Sequence, residues 1–265
     1  MKTVILAGGL GTRISEESQF VPKPMIRIGE MPVLWHIMKH YSYYGFHDFI
    51  ICAGYKQEII KEWFSNYYLH RNDVTFDFRN ENQVIVHRKN IEPWTVTVAD
   101  TGLKTLTGGR MAAVKDYIGN ETFMMTYGDG VSDVDLGELV KFHKREGRLA
   151  TLTGAQPGSR FGVLQMEGNR VVSFQEKNMT DSDWINTGFM VLEPKVFDYI
   201  KEDTMFETAP LEQIVKDGEL ACYRHNGFWQ CMDTLRDRQQ LEKMWAEGHA
   251  RWKVWNDSCE GGISG

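Results

Sequence analysis

The sequence predicts an α/β fold, and three observations carry that expectation. First, short apolar runs alternate with amphipathic stretches: "TVILAG" and "DFIICAG" read as buried strands, "MPVLWHIMKHYSYYG" and "QEIIKEWFSNYY" as helices. Second, the strand-then-helix alternation is the mark of a parallel sheet covered on both faces. Third, the pattern changes late in the chain to hairpin-like segments, "FGVLQMEGNRVVSFQEK" and then "WINTGFMVLEP". Together they predict a Rossmann-like, mixed, mainly parallel sheet covered by helices, with an additional small β-rich hairpin region.

Each element follows in order. The first strand ends in glycines, and the first long helix is closed by Gly45. Residues 70–110 are more irregular, with "DVTFDF" and "QVIVHR" resembling a hairpin and "EPWTVTVADTG" a strand. "TFMMTYGDG" is a further strand. "DLGELVKFHKREG" is a helix, with apolar positions at Leu136, Leu139, Val140 and Phe142, and "LATLTGA" is the next strand. "LEQIVKDG" and "LRDRQQLEKMWAEG" are helical by period. Residues 1–255 are expected to form a single domain, and the small polar end, 256–265, a flexible tail. No internal repeat or low-complexity linker interrupts the chain.

Composition narrows the partners. The 265 residues are 42% hydrophobic, enough to fill a sizeable core, and carry a formal net charge of −6. That balance argues against nucleic acid as a partner, since there is no basic surplus to neutralise a phosphate backbone. Cys52, Cys222, Cys231 and Cys259 form no CxxC pair or zinc spacing. No apolar stretch approaches the length of a membrane span, and no signal peptide is recognised, so the expected compartment is the cytoplasm.

The chemistry begins at "LAGGLGTR". Glycines after a first strand let backbone N–H groups come close to an anion. Leu6, Gly8, Gly9, Gly11, Thr12 and Arg13 are therefore candidate nucleotide contacts. The stretch is neither a GxxxxGK[ST] loop nor a dinucleotide fingerprint, because Ile14 stands where the latter wants glycine or alanine. Pro22-Lys23-Pro24 follows as a second cationic loop, stiffened by proline on both sides. A Gly-rich turn with no ligand is the plainer alternative.

"LAGGLGTR", "PKPM", "LWHIMKHYS", "YGDGVSDVD", "TGGR", "FQEK" and "GFWQCMDTLRD" resemble the sugar-1-phosphate nucleotidylyltransferases across residues 1 to about 255. The resemblance implies an enzyme that joins CTP and a sugar 1-phosphate, glucose 1-phosphate, releasing pyrophosphate and feeding deoxysugar synthesis. It implies Mg²⁺ held by Asp129 and Asp233, and a homo-oligomer. Arg13 and Lys23 would neutralise the triphosphate, and Lys177 would hold the sugar phosphate. Arg13, Lys23, Asp129 and Lys177 are thus the expected catalytic set. Glu176 would bind sugar hydroxyls, with Tyr127, Gly128, Asn186 and Thr187 as further substrate contacts. "TGGR" looks like a loop meeting the base through Gly108 and Gly109, with Arg110 reaching the phosphates.

Taken singly, Asp129 could be a turn former between two glycines, and Asp233 a helix N-cap before "TLRDRQQL". The sequence also departs from the family pattern, with Thr187 beside the expected sugar pocket, "NMTDSDW" in place of a shorter turn, and Cys231 where proline is frequent. These departures put the sugar in question, not the reaction. Another phosphorylated acceptor or pyrimidine nucleotide, or a non-catalytic nucleotide-binding scaffold, are the alternatives. His36, His40 and His143 read as partly exposed or capped helix residues. The many tryptophans (Trp35, Trp63, Trp184, Trp229, Trp245, Trp252 and Trp255) exceed what one core needs and suggest a subunit interface.

Overall fold

Of the first four sheet strands, three are largely apolar on both faces because both faces are covered, and Thr95–Asp100, at the sheet edge, is half-buried. The four are β1 (Lys2–Leu6), β2 (Asp48–Ala53), β3 (Thr95–Asp100) and β4 (Phe123–Tyr127). Successive strand residues point to opposite sides. Ile5, Phe49, Ile51 and Met124 therefore enter one apolar layer, and Val4, Ile50, Cys52 and Met125 the other. The four strands are parallel in the order β3-β2-β1-β4, with Val4 opposite both Ile50 and Met125. The computed structural model describes residues 1–79, 82–87, 91–156, 163–175 and 184–256.

The sheet continues with β5 (Ala150–Ala155), β6 (Val163–Glu167), β7 (Arg170–Gln175), β8 (Trp184–Leu192) and β9 (Leu220–Arg224). From β4 the order runs β8-β6-β7-β9-β5, and β5 pairs also with β8. Only β7 and β8 run against the other strands. The predicted mixed, mainly parallel sheet is therefore present, as are the β6–β7 hairpin and the separate hairpin Val74–Asp77 with Gln83–Val86. β9, "LACYR", was not anticipated. It is a short strand parallel to β5, and its Leu220, Ala221 and Cys222 are buried.

Helices cover both faces. α1 (Val33–Tyr43) and α2 (Gln57–His70) pack on one layer. α3 (Thr107–Ala113) sends Met111 into the other. α4 (Leu136–Glu146) begins where Asp135 accepts the N–H of Glu138 at 2.8 Å and ends at Gly147 in a left-handed conformation. α5 (Ala209–Lys216) buries Leu211 and Ile214 beside Met111, and α6 (Leu235–Ala246) buries Leu241 beside α1. Each such side chain contributes about 1.5–3 kcal/mol by leaving water.

One expectation about structural residues is corrected, and a second is narrowed. His36, His40 and His143 are buried, not partly exposed. His36 Nε2 lies 2.9 Å from Ile28 O, His40 Nε2 2.8 Å from Val134 O, and His143 sits between Thr151 Oγ1 and Glu193 Oε1. Burial pushes the His36 and His40 imidazoles down to about 4, so they are neutral hydrogen-bonding core residues. The tryptophans also turn inward. Trp35, Trp252 and Trp255 are buried, Trp245 packs edge-on to His36 at 4.6 Å, and none of the expected seven is exposed. Trp35, Trp245, Trp252 and Trp255 join α1 to α6 and the segment after it in an internal seam, and Trp63, Trp184 and Trp229 are half-buried elsewhere.

Candidate functional site

The strand order reverses between β1 and β4, whose carboxyl ends face a cleft of about 420 Å³. In open α/β sheets this is where ligands bind, because the loops leaving the two strands diverge there. Leu6, Gly8, Gly9, Gly11, Thr12, Arg13, Lys23, Arg110, Tyr127, Gly128, Asp129 and Asp233 line it, so most of the expected site residues are brought together.

The glycine loop is held from behind. Tyr55 N donates to Gly8 O at 3.2 Å, and Ser18 Oγ donates to Gly11 O at 2.9 Å. Gly11 has φ +66°, a conformation in which a side chain would be strained, and it turns the chain into the short helix Thr12–Ile14 that carries Arg13. Arg110 lines the cleft, but its guanidinium is occupied. It donates to Gly8 O at 3.0 Å, Gly102 O at 2.8 Å, Thr101 Oγ1 at 2.7 Å and Ala53 O at 3.3 Å. Rather than reaching across the cleft, as expected for a phosphate contact, it buttresses the glycine loop.

Asp129 and Asp233 meet through a small two-stranded ribbon that sequence reasoning did not find. Gly130–Ser132 pairs antiparallel with Trp229–Cys231, and Met232 N donates to Asp129 O at 2.8 Å. The ribbon carries the segment before α6 onto the loop after β4. Asp233 is not the helix N-cap. Thr234 fills that role, with Asp237 completing a reciprocal capping box, which leaves the Asp233 carboxylate free to face the cleft.

Both carboxylates converge on Lys23, whose Nζ lies 2.5 Å from Asp129 Oδ2 and also pairs with Asp233 Oδ1. Arg13 Nη1 lies 3.1 Å from Asp233 Oδ2, with its side chain 76% exposed, so it is free to swing toward a ligand. Burial works against the Lys23 ammonium, but the charges of Asp129 and Asp233 outweigh it and raise its pKa. Burial likewise opposes the Asp233 carboxylate, yet Lys23 and then Arg13 hold its pKa below the ordinary value.

Two carboxylates closing on one cationic nitrogen are the kind of group that could hold a hard divalent ion, which takes oxygen ligands from one or two carboxylates together with phosphates and water. Among the described residues no group of three or more His, Cys, Asp or Glu has metal-binding geometry. An ion held by Asp129 and Asp233 would therefore complete its shell from substrate oxygens and water.

Other expected contacts fall differently. Gly108 and Gly109 are in the first turn of α3, not in a loop, and neither lines the cleft. Their missing side chains let the helix approach 203–206: a β-carbon on Gly108 would press on Thr204 O, and one on Gly109 on Asp203. The cleft wall there is Thr105, Leu106 and Thr107, with Met205 beyond. Thr187 does not project beside a pocket. It is buried, and its Oγ1 donates to Thr153 O at 2.8 Å across the β5–β8 pair. The Asn186 side chain accepts from Gly188 N at 2.9 Å, away from the cleft lining. Glu176 and Lys177 lie outside the described residues, as does most of "NMTDSDW". Ala7, Pro24, Thr105, Leu106, Thr107 and Met205 were missed as lining residues. Ala7, Pro24 and Thr107 lie within "LAGGLGTR", "PKPM" and "TGGR", Thr105 and Leu106 just before the last, and Met205 carried no sequence signal.

The Rossmann-like order, the glycine loop at its switch point and the facing aspartates define a nucleotide-handling class. The chain belongs to the nucleotidyl transferase family, whose model matches residues 2–257. It is 53% identical over 257 residues to the glucose-1-phosphate cytidylyltransferase of Salmonella typhi, covering 96% of this chain and 100% of that one. It is 48% identical, with the same coverage, to a probable glucose-1-phosphate cytidylyltransferase of Bacillus subtilis. A UDP-glucose pyrophosphorylase complexed with UDP-glucose has the same fold, with a TM-score of 0.74 at 17% identity over 93% of this chain and 98% of that one. So does HddC from Yersinia pseudotuberculosis, with a TM-score of 0.74 at 22% identity over 92% and 99%.

Proposed function

We propose that this protein transfers the cytidylyl group of CTP to glucose 1-phosphate, giving CDP-glucose and pyrophosphate. The substrates rest on the full-length likeness to glucose-1-phosphate cytidylyltransferases. The chemistry rests on one observation, the meeting of Lys23, Arg13, Asp129 and Asp233 at the end of the glycine loop.

An oxygen of the sugar phosphate attacks the α-phosphorus of CTP, the new O–P bond forms, and the bond to the β-phosphate breaks. The nucleophile is already anionic at neutral pH, so no general base is needed. Positioning and charge neutralisation carry such transfers. The backbone of Gly8, Gly9 and Gly11 would receive the triphosphate. Arg13 would turn from Asp233 to the departing pyrophosphate, and Lys23 would shift its ammonium from the aspartates to phosphate oxygen. Asp129 and Asp233 would hold Mg²⁺, which when bound neutralises phosphate charge and orients the phosphates. Lys177 and Glu176 remain the proposed sugar-phosphate contacts by family likeness. Residues 1–255 are taken as one domain of a cytoplasmic homo-oligomer supplying deoxysugar and O-antigen synthesis, on the same likeness. No helix among the described residues is long and apolar enough to cross a membrane.

The test is pyrophosphate release from CTP, UTP, dTTP, ATP or GTP with a panel of sugar 1-phosphates and Mg²⁺. Release with CTP and glucose 1-phosphate, abolished by a chelator, is expected. Release with CTP only when another sugar is present would replace the acceptor, and no release with any pair would leave a nucleotide-binding scaffold.

A further inference from the structure

We infer that Glu207 is a positioning residue that sets the width of the nucleotide cleft by clamping the first turn of α3 to the end of β4. The inference rests on the reading of this cleft as the nucleotide site. Glu207 sits behind the lining, and no family motif pointed to it. Its two carboxylate oxygens hold the two walls. Thr107 Oγ1 donates to Oε2 at 2.5 Å, and the Tyr127 hydroxyl donates to Oε1. Thr107 and Tyr127 both line the cleft, on its α3 side and its β4 side.

The rest of the segment 203–207 follows the same turn of α3. Leu106 N donates to Asp203 Oδ1 at 2.9 Å, Gly108 N to Thr204 O at 2.8 Å, and Phe206 N to Thr107 Oγ1 at 2.8 Å. Tyr127 is fixed on its other side by Gly188, where φ is +85° and a β-carbon would run into the phenol ring. The ring therefore has one seat, and its hydroxyl one acceptor. From Tyr127 the chain passes directly through Gly128 to Asp129. A carboxylate thus ties the metal-side loop to α3, and Arg110 on the same helix ties α3 to Gly8.

Chemistry explains the residue type. In this geometry each hydroxyl donates to its own carboxylate oxygen, whereas a glutamine would offer one accepting oxygen and one NH2 that can only donate. E207Q keeps one acceptor, whereas E207L keeps none. Kinetics are measured well below each variant's melting temperature, with CTP–Mg²⁺ affinity read by calorimetry. E207L is expected to lower kcat/KM for CTP about 10- to 100-fold. Its KM for glucose 1-phosphate should stay within about threefold, and E207Q should lie between E207L and the parent. Adding T107V to E207L should cost less than the product of the two single losses, since both remove the Thr107–Glu207 link and T107V alone also removes the acceptor of Phe206 N. Kinetics and CTP affinity of folded E207L within about twofold of the parent, or losses that multiply in the double variant, would overturn the clamp. Calorimetry separates the two readings: a parent protein that releases no pyrophosphate refutes the proposed activity, while unchanged CTP affinity in E207L refutes the clamp.

Discussion

Thr234 and Asp237 cap α6 reciprocally. Asp237 N donates to Thr234 Oγ1 at 3.2 Å, and Thr234 N donates to the Asp237 carboxylate at 2.8 Å. Because Thr234 satisfies the helix end, Asp233 is released from capping and turns its charge to Lys23 and Arg13. One residue of register separates the capping position from one whose carboxylate faces the cleft.

That division predicts the behaviour of Asp129→Asn. The side chain keeps its size but loses the charge that faces Lys23 and would face the metal. Turnover should fall by about 10²–10³-fold or more, with the Mg²⁺ requirement raised, while Tm moves only a few degrees. Coupled pyrophosphate release and calorimetric melts measure the two. A collapse of Tm would make Asp129 a structural residue.

The Asp233–Lys23 pair carries a pH signature. The folded Asp233 pKa lies below the ordinary 3.8, so the parent's stability advantage over Asp233→Asn is full above about pH 3.8 and is lost as pH falls through the lowered folded value. The folded Lys23 pKa lies above 10.5, so its contribution is full below that pH and is lost only in stronger alkali. Melting curves of the parent and Asp233→Asn from pH 2 to 7 should converge at the acid end. A constant gap would remove the charge pairing from the account.

Neighbouring glycines should respond differently. A β-carbon on Gly8 would overlap the Arg110 guanidinium, whereas one on Gly9 meets nothing within 4 Å and projects into the cleft. Gly8→Ala should displace Arg110 and remove its hydrogen bond to Gly102 O, at a cost of about 1–3 kcal/mol, while Gly8 O keeps Tyr55 N and Ala53 O keeps Thr101. Gly9→Ala should melt like the parent but bind CTP more weakly. Urea melts and calorimetry distinguish them.

Thr187 was expected to influence the choice of sugar, and its burial predicts otherwise. Thr187→Val removes the hydrogen bond to Thr153 O and should cost about 1 kcal/mol of stability. The ratio of kcat/KM values among sugar 1-phosphates should stay within about twofold of the parent. A larger change would restore Thr187 to the pocket.

Most of the fold was legible because strands buried on both faces read as unbroken apolar runs, as in "DFIICA", and helices such as "LGELVKFHKRE" repeat at their own period. The glycine loop, Lys23 and the two aspartates were legible as residue types, through motif likeness. The ribbon that joins Trp229–Cys231 to Gly130–Ser132 was not, since three-residue strands carry too little pattern to register. The helical start of "TGGR" was hidden because glycine disfavours helix; packing against 203–206, where larger side chains would not fit, overrides that preference.

By itself, then, the chain's order of apolar and polar residues determined the layers, the sheet with its parallel block and the cationic glycine loop, since these depend on local periodicity and backbone freedom. Only the tertiary structure decided which charges meet. It freed Asp233, occupied Arg110 with backbone carbonyls, buried Thr187 and placed Glu207 between two walls. Those outcomes depend on contacts between segments far apart in the chain, where distance and available acceptors, not residue type, assign each side chain its role.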